Sequence, residues 1–102
     1  MSNFQHFSVN QLIQLSESST DIQIVDIRDA ASFASGHIEG SVNLNNENIA
    51  GFITEANMNQ HLIVVCYQGI SSQDAARYLV EQGFDDVYSL DGGYQAWHEA
   101  HL

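Results

Sequence analysis

The chain has 102 residues, enough for one small domain around a single core and too few for a second. Two arginines, no lysine and thirteen acidic residues give a formal net charge of -11, which argues against nucleic acid and anionic membranes as partners because both need basic surface. No apolar run approaches the roughly 18 residues of a membrane span, the N-terminus lacks a basic, apolar leader, and one cysteine excludes an internal disulfide or a multi-cysteine metal site. The expectation is a soluble, cytoplasmic protein.

A helix opens near Phe7: Ser8 suits the N-cap, Gln11 closes a capping box, and Phe7 against Leu12 forms a hydrophobic staple. Val9, Leu12 and Ile13 would supply its buried stripe, and a polar turn follows over Ser16–Asp21. Ile22–Val25 reads as a strand that delivers Asp26 and Arg28 to its C-terminal end. Ala30–Ser35 makes a short helix ended by Gly36, and His37–Gly40 leads to a short strand at Val42–Leu44. Over Asn45–Met58 the apolar residues Ile49, Ala50, Phe52 and Ile53 are spaced to line one helical face.

Leu62–Val65 is an apolar, mostly β-branched run of the kind buried inside a sheet, and it leads directly into Cys66. A helix opening at Ser71 or Ser72 should run to Gln82, pack Ala75, Ala76 and Leu79 on the sheet, and end with Gly83 at C′. Ser71 and Asp74 fit a Ser-x-x-acid capping pattern. Val87–Leu90 is a further strand, and Tyr94–Ala100 a final helix burying Tyr94 and Trp97. This alternation predicts an α/β fold with a mainly parallel sheet of about five short strands and helices on both faces. Ligands in such sheets sit beyond the C-terminal strand ends, where Asp26 with Arg28, Cys66 and Asp91 are expected to converge.

The cysteine loop sets the expected chemistry. Backbone N–H groups curling round one point at a helix N-terminus make an anion nest, and a thiolate placed there has its pKa lowered below about 8.5. Gly69 lets the loop turn tightly, while Asp74 is an anion that opposes the effect unless its carboxylate points away. The plain alternative is a small buried hydrophobe with no reactivity.

Four segments resemble the signatures of the rhodanese sulfurtransferases, in order and from about Phe7 to Trp97. Val25-Asp26-Ile27-Arg28 resembles the Asp-x-Arg motif; the stretch with Phe33, His37, Ile38, Gly40 and Leu44 resembles the aromatic-His-Gly motif. Cys66–Ser71 resembles the active-site loop, and Val87–Trp97 with its Asp91-Gly92-Gly93 resembles the closing segment. The resemblance implies a rhodanese-like catalytic domain over residues 1–102 with thiosulfate sulfurtransferase activity.

In that family reading the Cys66 thiolate attacks the outer sulfur of thiosulfate, expels sulfite and becomes a persulfide, and cyanide or a thiol then takes the sulfur. No metal or organic cofactor is needed, because the cysteine carries the sulfur; thioredoxin is an acceptor by family analogy, and the protein is a monomer or a homodimer. The backbone from Tyr67 through Gln68, Gly69 and Ile70 to Ser71 is the expected substrate cradle. The Ser71 and Ser72 hydroxyls could add hydrogen bonds to the sulfur; Ser71 is divided evenly between that and capping, and Ser72 is favoured for capping. Gln68 and Ile70 depart from the more polar or basic side chains of related loops. Arg28 either binds the sulfonate of the donor or, the preferred reading, pairs with a neighbouring carboxylate. Arg77 is expected in an ordinary ion pair, His37 as a hydrogen-bonding structural residue, and His61 and His98 facing solvent.

Two rival functions use a loop of related form. Cysteine phosphatases and arsenate reductases related to this fold carry one more loop residue, an arginine six positions after the cysteine and usually a histidine before it; those positions are Ser72 and Val65 here. A persulfide carrier or sulfur-relay module serving a partner protein needs the same loop as the enzyme.

Overall fold

Leu62–Val65 is buried on both faces, and the rest of the chain is layered about it. The computed structural model describes residues 3–19 and 21–102. The elements run β1 (Gln5–Phe7), α1 (Val9–Ser18), β2 (Ile22–Asp26), α2 (Ala30–Ser35), β3 (Val42–Asn43), α3 (Ile49–Glu55), β4 (His61–Val65), α4 (Ser71–Glu81), β5 (Asp86–Leu90) and α5 (Gly93–Ala100). The five strands form one parallel sheet in the order β1-β5-β4-β2-β3.

Alternation along the strands divides the core in two. Leu62 and Val64 join Val25 and Val87 beneath α3 and α4, where Ala76 and Leu79 are buried and Ile49, Phe52 and Ala75 are partly so. Ile63 and Val65 face the other way with Tyr88 and Leu90, covered by Leu12 of α1 and by Tyr94 and Trp97 of α5. Period two also aims Ser89 to the Val87 side, toward α4. Among the described residues no helix is long and apolar enough to cross a membrane.

The capping box at Ser8 and Gln11 is present in both directions, at 3.1 and 2.8 Å. The polar turn expected over Ser16–Asp21 is shorter: α1 continues to Ser18, with Ser16 and Ser18 hydroxyls donating to the carbonyls of Ile13 and Leu15. Thr20, inside that turn, lies outside the described residues. Ala50 was expected on the buried face of α3, yet it is exposed; Ile49, Phe52 and Ile53 make the contact with Ala56 and Met58. Gly83 takes the C′ position of α4 with φ +112°, as its sequence position predicts. β1 is a strand the sequence reading did not include.

Candidate active site

Cys66 follows the last residue of β4, and its loop turns back over the end of β5 into α4. Two features fix that turn. Gly69 has φ +86°, and a β-carbon on it would lie 2.7 Å from the Gly92 nitrogen. The start of α5 supplies the other, since the N–H groups of Tyr94 and Gln95 donate to the carbonyls of Cys66 (2.8 Å) and Tyr67 (3.1 Å). The Cys66 and Tyr67 carbonyls thus face α5, on the side of the loop away from its N–H groups.

The thiol is buried at the N-terminal end of α4. Gly69 N–H donates to Sγ at 3.1 Å, and the Ser72 hydroxyl lies 3.2 Å from it. Burial pushes the thiol pKa up, but the Ser72 hydroxyl and the N–H groups of Ser72, Gly69 and Gln68 outweigh it, and the net direction is down. The α4 dipole acts in the same sense.

Several expectations about individual residues need correction. Ser72 does not cap α4: it stands one residue inside the helix, fully buried, with its hydroxyl toward the sulfur. Ser71 does not cap either, because the N-cap position falls on Ile70, which has helical backbone angles and no side-chain cap. The Asp74 carboxylate is taken by Arg77 at 2.6 Å and is exposed, so it points away from the nest. Within the loop, the Gly69 N–H bonds the sulfur, and the N–H groups of Ser72 and Gln68 act with it to lower the thiol pKa.

The side chains of the loop serve other ends. Tyr67 O–H donates to Asp29, the N-cap of α2, whose carboxyl is thereby held well below the usual carboxylate range. Gln68 bonds Gln95 at 3.0 Å, and Gln73 reaches back to the Gly69 carbonyl at 2.8 Å. Ile70 stands 72% exposed at the loop tip.

Arg28 is buried against Asp26, with Nη2 at 2.7 Å and Nε at 3.0 Å from its carboxylate oxygens. Nη2 also donates to the Gly36 carbonyl at 2.7 Å, and the guanidinium lies 4.1 Å from the Tyr94 ring centroid. The Asp26 hydrogen bond raises the Arg28 pKa further, so this cation is fixed and locally neutralised. It forms one wall of a cavity of about 310 Å³ with Tyr67, Tyr94, Ser32 and His98. A larger cavity of about 610 Å³ beyond β2 and β3 is walled by Arg28, Asp29, Asn43, Asn45 and Glu47 together with apolar Ile27, Leu44 and Ile49. Cys66 lines neither.

His37 is structural: it stacks on Phe33 with centroids 3.8 Å apart, and its Nδ1 bonds the Phe33 carbonyl at 2.7 Å. His98 is exposed, as expected. His61 is not, being half-buried with its Nδ1 3.3 Å from the Tyr88 hydroxyl. Asp91 does not converge on the thiol either; its carboxylate pairs with His6 of β1 at 3.0 Å. Sequence reasoning missed Ser89, buried on β5 with its hydroxyl 2.7 Å from that of Ser72. The available signal was a polar residue interrupting the apolar run Val87–Leu90.

Taken together, a parallel α/β sheet and a cysteine seated in N–H donors at a helix N-terminus define a domain built around a stabilised thiolate. Residues 8–100 match the rhodanese-like domain, and the chain belongs to that family. A relative named thiosulfate sulfurtransferase GlpE, from Shewanella oneidensis, is 67% identical over 98% of each chain. Its namesake from Pseudoalteromonas translucida is 53% identical over 96% of this chain and 92% of that one. Among solved structures, a rhodanese-like domain protein from Staphylococcus aureus superposes with a TM-score of 0.81 at 26% identity, covering 92% of this chain and 91% of its own.

Proposed function

We propose that this chain is a thiosulfate sulfurtransferase working through a persulfide on Cys66. The observation that carries the reading is the thiol itself, with Sγ 3.1 Å from the Gly69 N–H and 3.2 Å from the Ser72 hydroxyl. The relatives named above support the donor's identity.

The thiolate attacks the outer sulfur of thiosulfate, forming a sulfur–sulfur bond while the bond to the sulfonate sulfur breaks and sulfite leaves with its electron pair. After transfer the negative charge sits on the outer sulfur of the persulfide, and the backbone N–H groups of the loop at the start of α4 are the proposed cradle for it. Cyanide or a thiol attacks the outer persulfide sulfur and releases Cys66 as thiolate. Arg28, already committed to Asp26 and Gly36, supports the wall beside the loop and is not the main anchor of the donor. Regeneration by thiols suits the reducing cytoplasm.

A persulfide carrier is the second reading, favoured by one observation: an apolar side chain, Ile70, stands 72% exposed at the tip of the reactive loop, where a partner protein would meet it. Thioredoxin is one acceptor of that kind.

The test is intact-protein mass after thiosulfate and again after cyanide, for wild type and Cys66→Ser. One added sulfur on wild type alone, lost to cyanide as thiocyanate, supports the cycle. A wild-type thiol that stays free and unmodified excludes thiosulfate as donor. Saturating turnover separates enzyme from carrier, which would load sulfur stoichiometrically and stop.

A further inference from the structure

We infer that Ser89 is a positioning residue for the reactive sulfur, orienting the Ser72 hydroxyl toward Cys66 from the neighbouring strand. The inference rests on the reading of Cys66 as the nucleophile and adds a group that lies outside the loop.

Three buried atoms form a line: Ser89 Oγ is 2.7 Å from Ser72 Oγ, which is 3.2 Å from Cys66 Sγ. Ser72 and Ser89 are both fully buried, and the strand alternation that sends Val87 under α4 sends Ser89 the same way. Among the described residues, Ser72 is the hydrogen-bond partner of the Ser89 hydroxyl, and no buried side-chain polar atom lacks one.

Two hydroxyl protons serve this line, and counting them gives it a direction. With a thiolate, Ser89 donates to Ser72, Ser72 donates to the sulfur, and both protons are used. With a thiol that donates to Ser72, three protons meet two gaps, and either the Ser72 or the Ser89 proton is left buried with no acceptor in the line. An unmade buried hydrogen bond is costly, so the line favours the anion. Without Ser89, the Ser72 hydroxyl loses the donor that fills its acceptor side and is free to rotate away from the sulfur.

The test is the pH profile of Cys66 alkylation by iodoacetamide, which needs no sulfur donor, in wild type, Ser89→Ala, Ser72→Ala and the double variant. Ser89→Ala should raise the apparent thiol pKa and slow alkylation at neutral pH by about threefold to tenfold, the worth of one hydrogen bond. In the Ser72→Ala background the same change should do nothing more. An unshifted profile in Ser89→Ala overturns the inference, and so does a shift of equal size with Ser72 already removed.

The isosteric pair Ser89→Thr and Ser89→Val repeats the comparison at equal volume. The threonine variant should titrate lower than the valine variant; identical profiles overturn the inference. A shift in Ser89→Ala combined with no persulfide from thiosulfate would retain the role of Ser89 and remove the proposed donor.

Discussion

Gly93 presses on Cys66: a β-carbon at position 93 would lie 2.5 Å from the Cys66 carbonyl oxygen and 2.6 Å from the Tyr67 carbonyl carbon. Both are backbone atoms, so neither can rotate aside. Gly93 also has φ +61°, and the next residue donates its N–H to that same carbonyl at 2.8 Å. The contact therefore sets the height at which the reactive loop rides on α5.

Gly93→Ala should cost about 2–4 kcal/mol, from left-handed strain plus an overlap that only backbone movement relieves. Because the movement falls on the loop, thiosulfate turnover should fall by more than the unfolded fraction explains. Denaturant unfolding and kcat/KM measured on the same sample check it. Wild-type values in both would mean that the loop is not seated by this contact.

Arg28 and Asp26 have side chains 5% and 1% exposed, and their pairing joins the end of β2 to Gly36 at the close of α2. Arg28→Ala leaves a buried carboxylate without its partner, at a cost of about 3–5 kcal/mol. Arg28→Lys loses the two-pronged contact and should be intermediate. Both variants should keep a near-normal KM for thiosulfate in whatever fraction remains folded. A stable Arg28→Lys protein with KM raised tenfold or more would instead put this guanidinium on the donor.

The legible parts of the sequence were those whose pattern had one physical cause. Leu62–Val65 could be read as a buried central strand, and Ser8 with Gln11 fixed the start of α1, because burial and capping act locally. β1 escaped notice since its three residues are stabilised by pairing with Tyr88, Ser89 and Leu90, a long-range contact, while Gln5 and His6 are exposed. Ser71–Asp74 matched a capping pattern yet capped nothing. Arg77 holds the acid, and the loop enters α4 already bound by α5. Ser72 and Ser89 meet across 17 positions of sequence, and no spacing rule joins a helix serine to a strand serine.

The cradle predicts a pH dependence of known sign. The Cys66 pKa is depressed in the folded state, the donors to the sulfur outweighing burial, so the alkylation rate of wild type should reach half its maximum below the ordinary thiol value of about 8.5. Persulfide formation should titrate in parallel. Between the folded pKa and about 8.5 the unfolded chain holds the proton that the folded chain has released, so stability rises with pH across that window. It is lost as pH falls through the folded pKa and levels off above the unfolded one. The difference in unfolding free energy between wild type and Cys66→Ala, followed from pH 6 to about 9.5, should show this rise. A flat difference together with an alkylation midpoint at or above 8.5 would contradict the cradle.

The formal charge of -11 opposes a dianionic donor, and neither arginine is free to offset it: Arg28 is bound to Asp26 and Arg77 to Asp74. Attraction at the sulfur comes from N–H dipoles that act only at contact, whereas the repulsion acts over a Debye length, about 8 Å at physiological ionic strength. Added salt shortens the repulsion and leaves the contact dipoles almost untouched. The second-order rate of persulfide formation with thiosulfate should therefore increase as salt is raised from low ionic strength. Alkylation by neutral iodoacetamide should change little over the same range, which separates the field from any effect of salt on the fold. A thiosulfate rate that falls steadily with salt would mean that the approach to Cys66 is locally positive despite the global charge.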